Sequence, residues 1–210
     1  MIFVLEILIW YILLLLTCKF AGREGLITYI VSAAIIANIE TTQFIQVFGL
    51  EMPGGVIPFA CLFLATDVSS ELYGRSFSRK LVQYSGFGML LSSLIIALFG
   101  MNEGVSDSYH AALGSTLRIA FASISVYFIC GQLDVRIYHT IGRLTRFKWI
   151  RNNVGTISAQ FVNAFLFIVF AFGWIGFKPI LGNWIISVGL ALIDTPMLYI
   201  ITGRDRLLED

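Results

Sequence analysis

The chain has 210 residues, of which 58% are hydrophobic and only 13% charged, with a formal net charge of +1. Soluble domains carry about a quarter charged residues, so a solvated globular domain is excluded. The 18 Phe and a mean hydropathy of +0.85 indicate an all-α, polytopic helical membrane protein: one transmembrane domain over residues 1–210, with little outside the bilayer.

A helix needs about 20 apolar residues to cross the hydrocarbon. Seven such windows are found, at 2–20, 26–48, 54–73, 81–100, 114–134, 155–176 and 182–202. The first, MIFVLEILIWYILLLLTCK, has no basic n-region or small-residue cleavage site and is interrupted by Glu6. It reads as a retained helix rather than a signal peptide. The second is the weakest, because it holds Asn38, Glu40, Thr41, Thr42 and Gln43. Asn38 and Gln43 do not share a face of an ideal helix, so either one is structural or the helix is irregular there. Pro53, Gly54, Gly55 and Pro58 give the third span a broken or kinked start.

That third span carries FLATDVSSELYGRSFSRK (63–80), in which Asp67 and Glu71 stand four residues apart on one face. A carboxylate at the centre of an isolated membrane helix costs about 2.5–3.5 kcal/mol on insertion scales. Two on one face require a basic residue, a bound cation or a proton. Glu71 reaching Arg75, again four residues on, is the structural reading. A ligand or coupling role is the stronger reading for Asp67, one turn deeper.

Span five opens with Arg118, and positions 118, 122, 125, 129 and 132 run along one small, polar face ending at Gln132. Such a face fits a cavity lining or close helix packing. Gln132 offers both donor and acceptor to a planar heterocycle. Asp134, well round the helix, caps or pairs with Arg136 or the basic loop. For Arg118 the alternatives are snorkelling to the interface and a structural or gating pair with an acid. Span six places Thr156, Gln160, Asn163 and Phe167 in a narrow arc. Three polar groups and a ring on one face of a membrane helix either glue helices together or line a cavity, where they hydrogen-bond and stack on an aromatic ligand. In span seven, Asp194-Thr195-Pro196 marks another break.

Placing alternate loops on the same side puts 12 of the 14 Lys and Arg on one face, against Lys178 alone on the other, with Arg118 inside a span. The basic side is cytoplasmic, which sets the N-terminus outside and the C-terminus inside. The acidic loop 101–112 then faces out and the basic loop 135–154 faces in. That loop's position beside two spans explains its charge without nucleic acid. Cys18, Cys61 and Cys130 match no metal motif, His110 and His139 fall in expected loops, and no glycine-rich phosphate loop is found. Cofactors and metals are therefore not expected, and without a nucleophile-base pair an enzyme is disfavoured against a small-molecule carrier or a structural membrane protein.

The segments ANIETTQFIQVFGLEMPGG (37–55), IPFACLFLATDVSSELYG (57–74), LRIAFASISVYFICGQLDVRIY (117–138) and WIRNNVGTISAQFVNAFLFIVFAFGWIG (149–176) resemble the queuosine precursor transporter family. The likeness covers roughly residues 26 to 200. It implies an inner-membrane importer of 7-deazaguanines, chiefly preQ0 and preQ1 and sometimes queuine, serving tRNA modification. It also implies a fold like the six-helix substrate-binding subunits of vitamin transporters, here residues 26–202, preceded by an additional helix at 1–23. The family's polar signature falls on Asn38, Asp67, Glu71, Arg118, Gln132, Asp134, Thr156 and Gln160. Two departures stand out: Asn163 replaces an Asp found in many relatives, and the last span lacks their Lys. The expected substrate-binding set is Asn38, Gln43, Asp67, Glu71, Gln132, Gln160, Asn163 and Phe167, around a cavity between spans two, three, five and six. Arg118, Asp134 and Thr156 serve as gating or structural polar groups. The expected partners are a purine-like small molecule and the lipid bilayer. A homo-oligomer and a separate ATPase module stay open, as does the alternative of a binding subunit for another heterocycle or vitamin.

Overall fold

The computed structural model describes the backbone of residues 2–113, 116–174 and 176–203. In chain order it contains α1 (Ile2–Glu40), β1 (Phe44–Val47), β2 (Leu50–Pro53), α2 (Val56–Gly100), the short α3 (Asp107–Leu113), α4 (Thr116–Leu144), α5 (Lys148–Phe172) and α6 (Phe177–Thr202). Among the described residues, four helical stretches are long and apolar enough to cross a membrane: α1, α2, α6 and residues Trp149–Phe172 of α5. The protein is a polytopic helical membrane protein whose N-terminal helix precedes the rest of the bundle.

Neither α1, with 39 residues, nor α2, with 45, is a single rod. A straight 39-residue helix is about 58 Å long, roughly twice the hydrocarbon thickness. Each is broken at one glycine: Gly22 (φ 53°, ψ −125°) in α1 and Gly74 (φ 80°, ψ 171°) in α2. Both conformations are barred to residues with a Cβ. Beyond each break the chain doubles back. Tyr29 Oη donates to Trp10 O at 3.2 Å, although 19 residues of straight helix would separate them by about 28 Å. Ser78 Oγ likewise donates to Thr66 O at 3.0 Å. The two reversals lie side by side, because a methyl on Gly22 would sit 3.5 Å from Tyr73 Oη and the Arg23 guanidinium covers the Tyr73 ring at 5.0 Å. At the opposite ends of the arms, Asn38 Nδ2 donates to Ser93 Oγ at 2.9 Å.

Two expectations are corrected here. Span two does not continue to residue 48. Its helix stops at Glu40, where the Thr41 and Thr42 hydroxyls turn back onto the carbonyls of Ala37 and Ile39, a local bond that competes with helix propagation. Residues 44–53 then form an antiparallel hairpin pairing Val47 with Leu50. Its two turn residues, Phe48 and Gly49, both have positive φ, as tight hairpins require. The basic segment 135–154 is mostly helix rather than loop, since α4 runs on to Leu144 and α5 starts at Lys148. His139 lies in α4 and His110 in α3.

The core joins the α1 arms, α2, α4 and α6 through Leu14, Leu26, Ile30, Leu64, Tyr127 and Leu198. Large apolar side chains such as Leu8, Ile12, Leu94, Leu98, Ile193 and Ile200 point outward, an arrangement that water would penalise and lipid accommodates. The first arm of α1 is tied into this bundle by a buried bond from Tyr11 Oη to Asp194 of α6, which gives the Asp194 carboxyl its role. Gly74→Ala should cost about 1–3 kcal/mol, because alanine cannot hold this reversal without strain. Thermal unfolding in detergent checks it, with Gly189→Ala, on a helical glycine with open space around it, as the silent control.

Candidate functional site

A cleft with about 390 Å³ of space, open solvent at its mouth included, lies between the helices. Thr41 borders it after α1, Pro53, Gly55, Val56 and Phe59 at the start of α2, Ser123 on α4, Gln160, Asn163 and Phe167 on α5, and Asn183 and Ser187 on α6. None of these described lining residues is ionised. Gln160 is only 1% exposed. Its Nε2 has no hydrogen-bond partner, while its Oε1 accepts a long 3.5 Å bond from Asn163 Nδ2. The pair therefore presents amide donors and acceptors whose bonding capacity is largely unspent. Two rings frame them. Phe59 packs edge-on against Phe63 and Tyr127, at 5.5 and 5.4 Å, and Phe167 packs edge-on against Phe172 at 5.9 Å. Fixed rings beside convergent amides suit a flat, hydrogen-bonding heterocycle.

Three of the expected substrate-binding residues meet here: Gln160, Asn163 and Phe167. Their α5 arc is the face that reaches the cleft. The side chain of Thr156, the fourth member of that arc, lies outside the described residues. Five polar or aromatic lining residues were not anticipated. Asn183 and Ser187 are spaced i,i+4 on α6, a polar pair in an apolar helix that carries the same signal as the α5 arc. Ser123 sits one position round from the α4 face followed in the sequence. Phe59 and Thr41 carry no local signal.

The remaining expected residues lie elsewhere. Asn38 is not among the cleft residues; its Nδ2 donates to Ser93, while its Oδ1 has no partner. Gln43 is exposed, and its carbonyl accepts from Gly54 N at 2.7 Å to close the β-hairpin base. Gln132 is half-buried on α4 and is not among the cleft residues. Arg118 is exposed in the first turn of α4, with no acid partner among the described residues, as snorkelling requires.

Asp67, Glu71 and Asp134 belong to a second polar region, about two helical turns further along α2 and α5 from the cleft. Between the two lies an apolar layer built by Phe63, Val126, Cys130 and Ala159. Glu71 does not pair with Arg75. It binds Arg151 of α5 at 2.9 Å, with both side chains 3% exposed, and accepts from Tyr138 Oη at 2.9 Å. Arg151 also covers the Tyr138 ring at 5.4 Å. Arg151 was hidden from sequence reasoning because it counts as one more cytoplasmic base. Only the extension of α5 back to Lys148 brings it into the bundle. Asp134 does not cap Arg136. Its Oδ2 lies 3.2 Å from Thr66 Oγ1, and it is fully buried.

With this geometry in place, the comparisons with known proteins can be read. Residues 53–201 match a family described as "Putative vitamin uptake transporter". A "Probable queuosine precursor transporter" of Bacillus subtilis (strain 168) is 30% identical over 208 residues, covering 91% of this chain and 90% of the relative. The chain belongs to the queuosine precursor transporter family. A "Probable queuosine precursor transporter" of Haemophilus influenzae is 27% identical over 128 residues, 60% of this chain and 54% of its own length. The "Queuosine precursor transporter" of Escherichia coli K12 is 28% identical over 131 residues, 61% of this chain and 58% of its own. No solved structure matches the chain. The family match contains the α5 and α6 cleft residues and the Glu71–Arg151 pair. Among the described residues no cluster of His, Cys, Asp or Glu is placed to hold a metal ion.

Removing one member of a buried ion pair strands the other. Arg151→Met should therefore destabilise the protein by about 3–5 kcal/mol. Adding Glu71→Gln should recover most of that loss. Detergent unfolding of the two single variants and the double variant checks both signs.

Proposed function

We propose that the protein imports queuosine precursors, 7-deazaguanines of the preQ0 and preQ1 type, across the bacterial inner membrane. The family and the names of the relatives support the substrate class. The observation that carries the reading to this chain is the cleft: unspent amides of Gln160 and Asn163 beside Asn183, between the rings of Phe59 and Phe167. An amide edge matches the lactam and amino groups of a deazaguanine, and the rings hold its flat faces.

In this reading α1 and α2 each cross twice and α4, α5 and α6 once each, making seven spans in a single domain. Residues 1–23 are the additional helix and 26–202 the transporter core. The N-terminus is outside and the C-terminus cytoplasmic. The cleft then opens outward beside the β-hairpin. The substrate set is Gln160, Asn163, Phe167, Asn183, Ser187 and Phe59, a narrower and partly different group from the one the sequence suggests. Asp67 and Glu71 act in the second region.

The absence of ionised groups among the described lining residues favours the neutral 7-cyano compound over the cationic 7-aminomethyl one. Burying an uncompensated ammonium costs several kcal/mol. The carboxylate nearest along the chain, Glu40, is not among the residues lining the cleft. Uptake of both labelled compounds into proteoliposomes tests this. Gln160→Ala should lower uptake of the 7-cyano compound about tenfold, the equivalent of roughly 1.4 kcal/mol. Asn163→Asp should move the preference toward the aminomethyl compound by about tenfold or more. Unchanged uptake by Gln160→Ala at equal protein content, or an unchanged preference in Asn163→Asp, contradicts the assignment.

A further inference from the structure

Asp134 stands where hydrogen counting is decisive. Thr66 Oγ1 has one proton. It lies 2.7 Å from Phe63 O and 3.2 Å from Asp134 Oδ2. The shorter contact claims the proton, as helix threonines bonding their own backbone normally do. One proton cannot satisfy both contacts in full, so Asp134 Oδ2 is short of a donor unless the acid itself carries a proton. The second carboxyl oxygen agrees. Oδ1 has no hydrogen-bond partner, and Asp134 is 0% exposed. An ionised carboxylate has about four acceptor sites to fill, and a buried charge left without donors or a counter-ion neutralises itself instead. On the α5 side Oδ1 packs closely against Gly155, where even a methyl would come within 3.1 Å, so no side chain of that residue stands between them.

The surrounding ionisable groups do not change this count. On α4, Tyr127 and Cys130 lie on the cleft side of Asp134 and Tyr138 on the other, with His139 against Tyr138. On α2, Asp67 follows Thr66 and Glu71 lies a turn beyond. Beyond the reversal, Ser78 donates to Thr66 O. On α5, the Arg151 guanidinium is committed to Glu71.

We propose that Asp134, with Thr66 as its acceptor, is a proton-binding site that couples import to the proton gradient. The proposal rests on the transport reading above. Asp134 lies one helical turn beyond Cys130, which belongs to the apolar layer under the cleft. In the conformation described here the acid is neutral and sealed. When the helices rearrange to open the inner side, water reaches the carboxyl. Its O–H bond breaks, the proton leaves to the cytoplasm and the carboxylate stays behind. A proton from the outer side restores the neutral, closed form. One proton moves inward per cycle, and no other reactant is required.

The test uses the full-length protein in proteoliposomes with labelled 7-cyano-7-deazaguanine. Three readouts are taken: counterflow exchange without a gradient, uptake under an inside-alkaline gradient, and lumenal pH from a trapped indicator. The wild type should accumulate the probe several-fold above equilibrium under the gradient and acidify the lumen as it does so. Asn is a close mimic of the protonated acid, because its Nδ2–H can donate to Thr66 Oγ1. Asp134→Asn should therefore fold with unchanged thermal stability and keep counterflow, but lose both accumulation and acidification. Wild-type counterflow with no accumulation above equilibrium under the gradient overturns the coupling proposal and leaves the transport reading standing. Absence of any wild-type counterflow defeats the transport reading itself and the proposal with it. Gradient-driven accumulation by Asp134→Asn, or a large loss of stability in that variant, overturns the proton site.

Discussion

A polar group inside a lipid-clad helix bundle has no water to fall back on, so its partner must come from the protein or from a ligand. Most of the polar side chains in these spans obey the first alternative. Tyr11 meets Asp194, Asn38 meets Ser93, Tyr138 and Arg151 meet Glu71, and Ser85 donates to Tyr127 at 2.7 Å. Each bond ties two helices together at a fixed register. Gln160 Nε2 is left without a partner, and it borders the cleft, where a ligand's hydrogen bonds would count most.

The division into two polar regions gives the molecule a functional axis. The cleft is neutral and aromatic, suited to recognising a flat solute. The region beyond Phe63 and Cys130 holds the acids and Arg151, suited to holding charge in balance. Phe63 on α2 and Cys130 on α4 stand between the two regions along their helices, in one buried apolar cluster. Neither a channel nor a purely structural protein requires this separation.

Much of the fold was legible because it follows from hydropathy and charge alone. Both kinds of evidence survive the averaging inherent in a 20-residue window. What was not legible depended on geometry that such windows erase. The Gly22 and Gly74 reversals are single glycines among many. The hairpin at 44–53 hides in an apolar run that reads as helix until Thr41 and Thr42 are seen to bond backwards. At the site, the α5 arc of Gln160, Asn163 and Phe167 was readable from the helical period. Asp67 and Glu71 do not line the cleft, and Glu71 lies against Arg151. The partner of Glu71, Arg151, sits 80 residues away in a segment that reads as a cytoplasmic loop. Asn183 and Ser187 could have been found by asking of α6 the question asked of α5.

The most direct test of the central claim, that the neutral cleft is the solute's binding place and opens outward, is cysteine protection. Thr41→Cys and Ser187→Cys would be placed in a background with Cys18, Cys61 and Cys130 replaced, and labelled in cells with a membrane-impermeant maleimide. The account predicts labelling from the outside at both positions, blocked in a saturable way by 7-cyano-7-deazaguanine. Labelling that the compound does not slow, in variants that still take it up, would contradict the account.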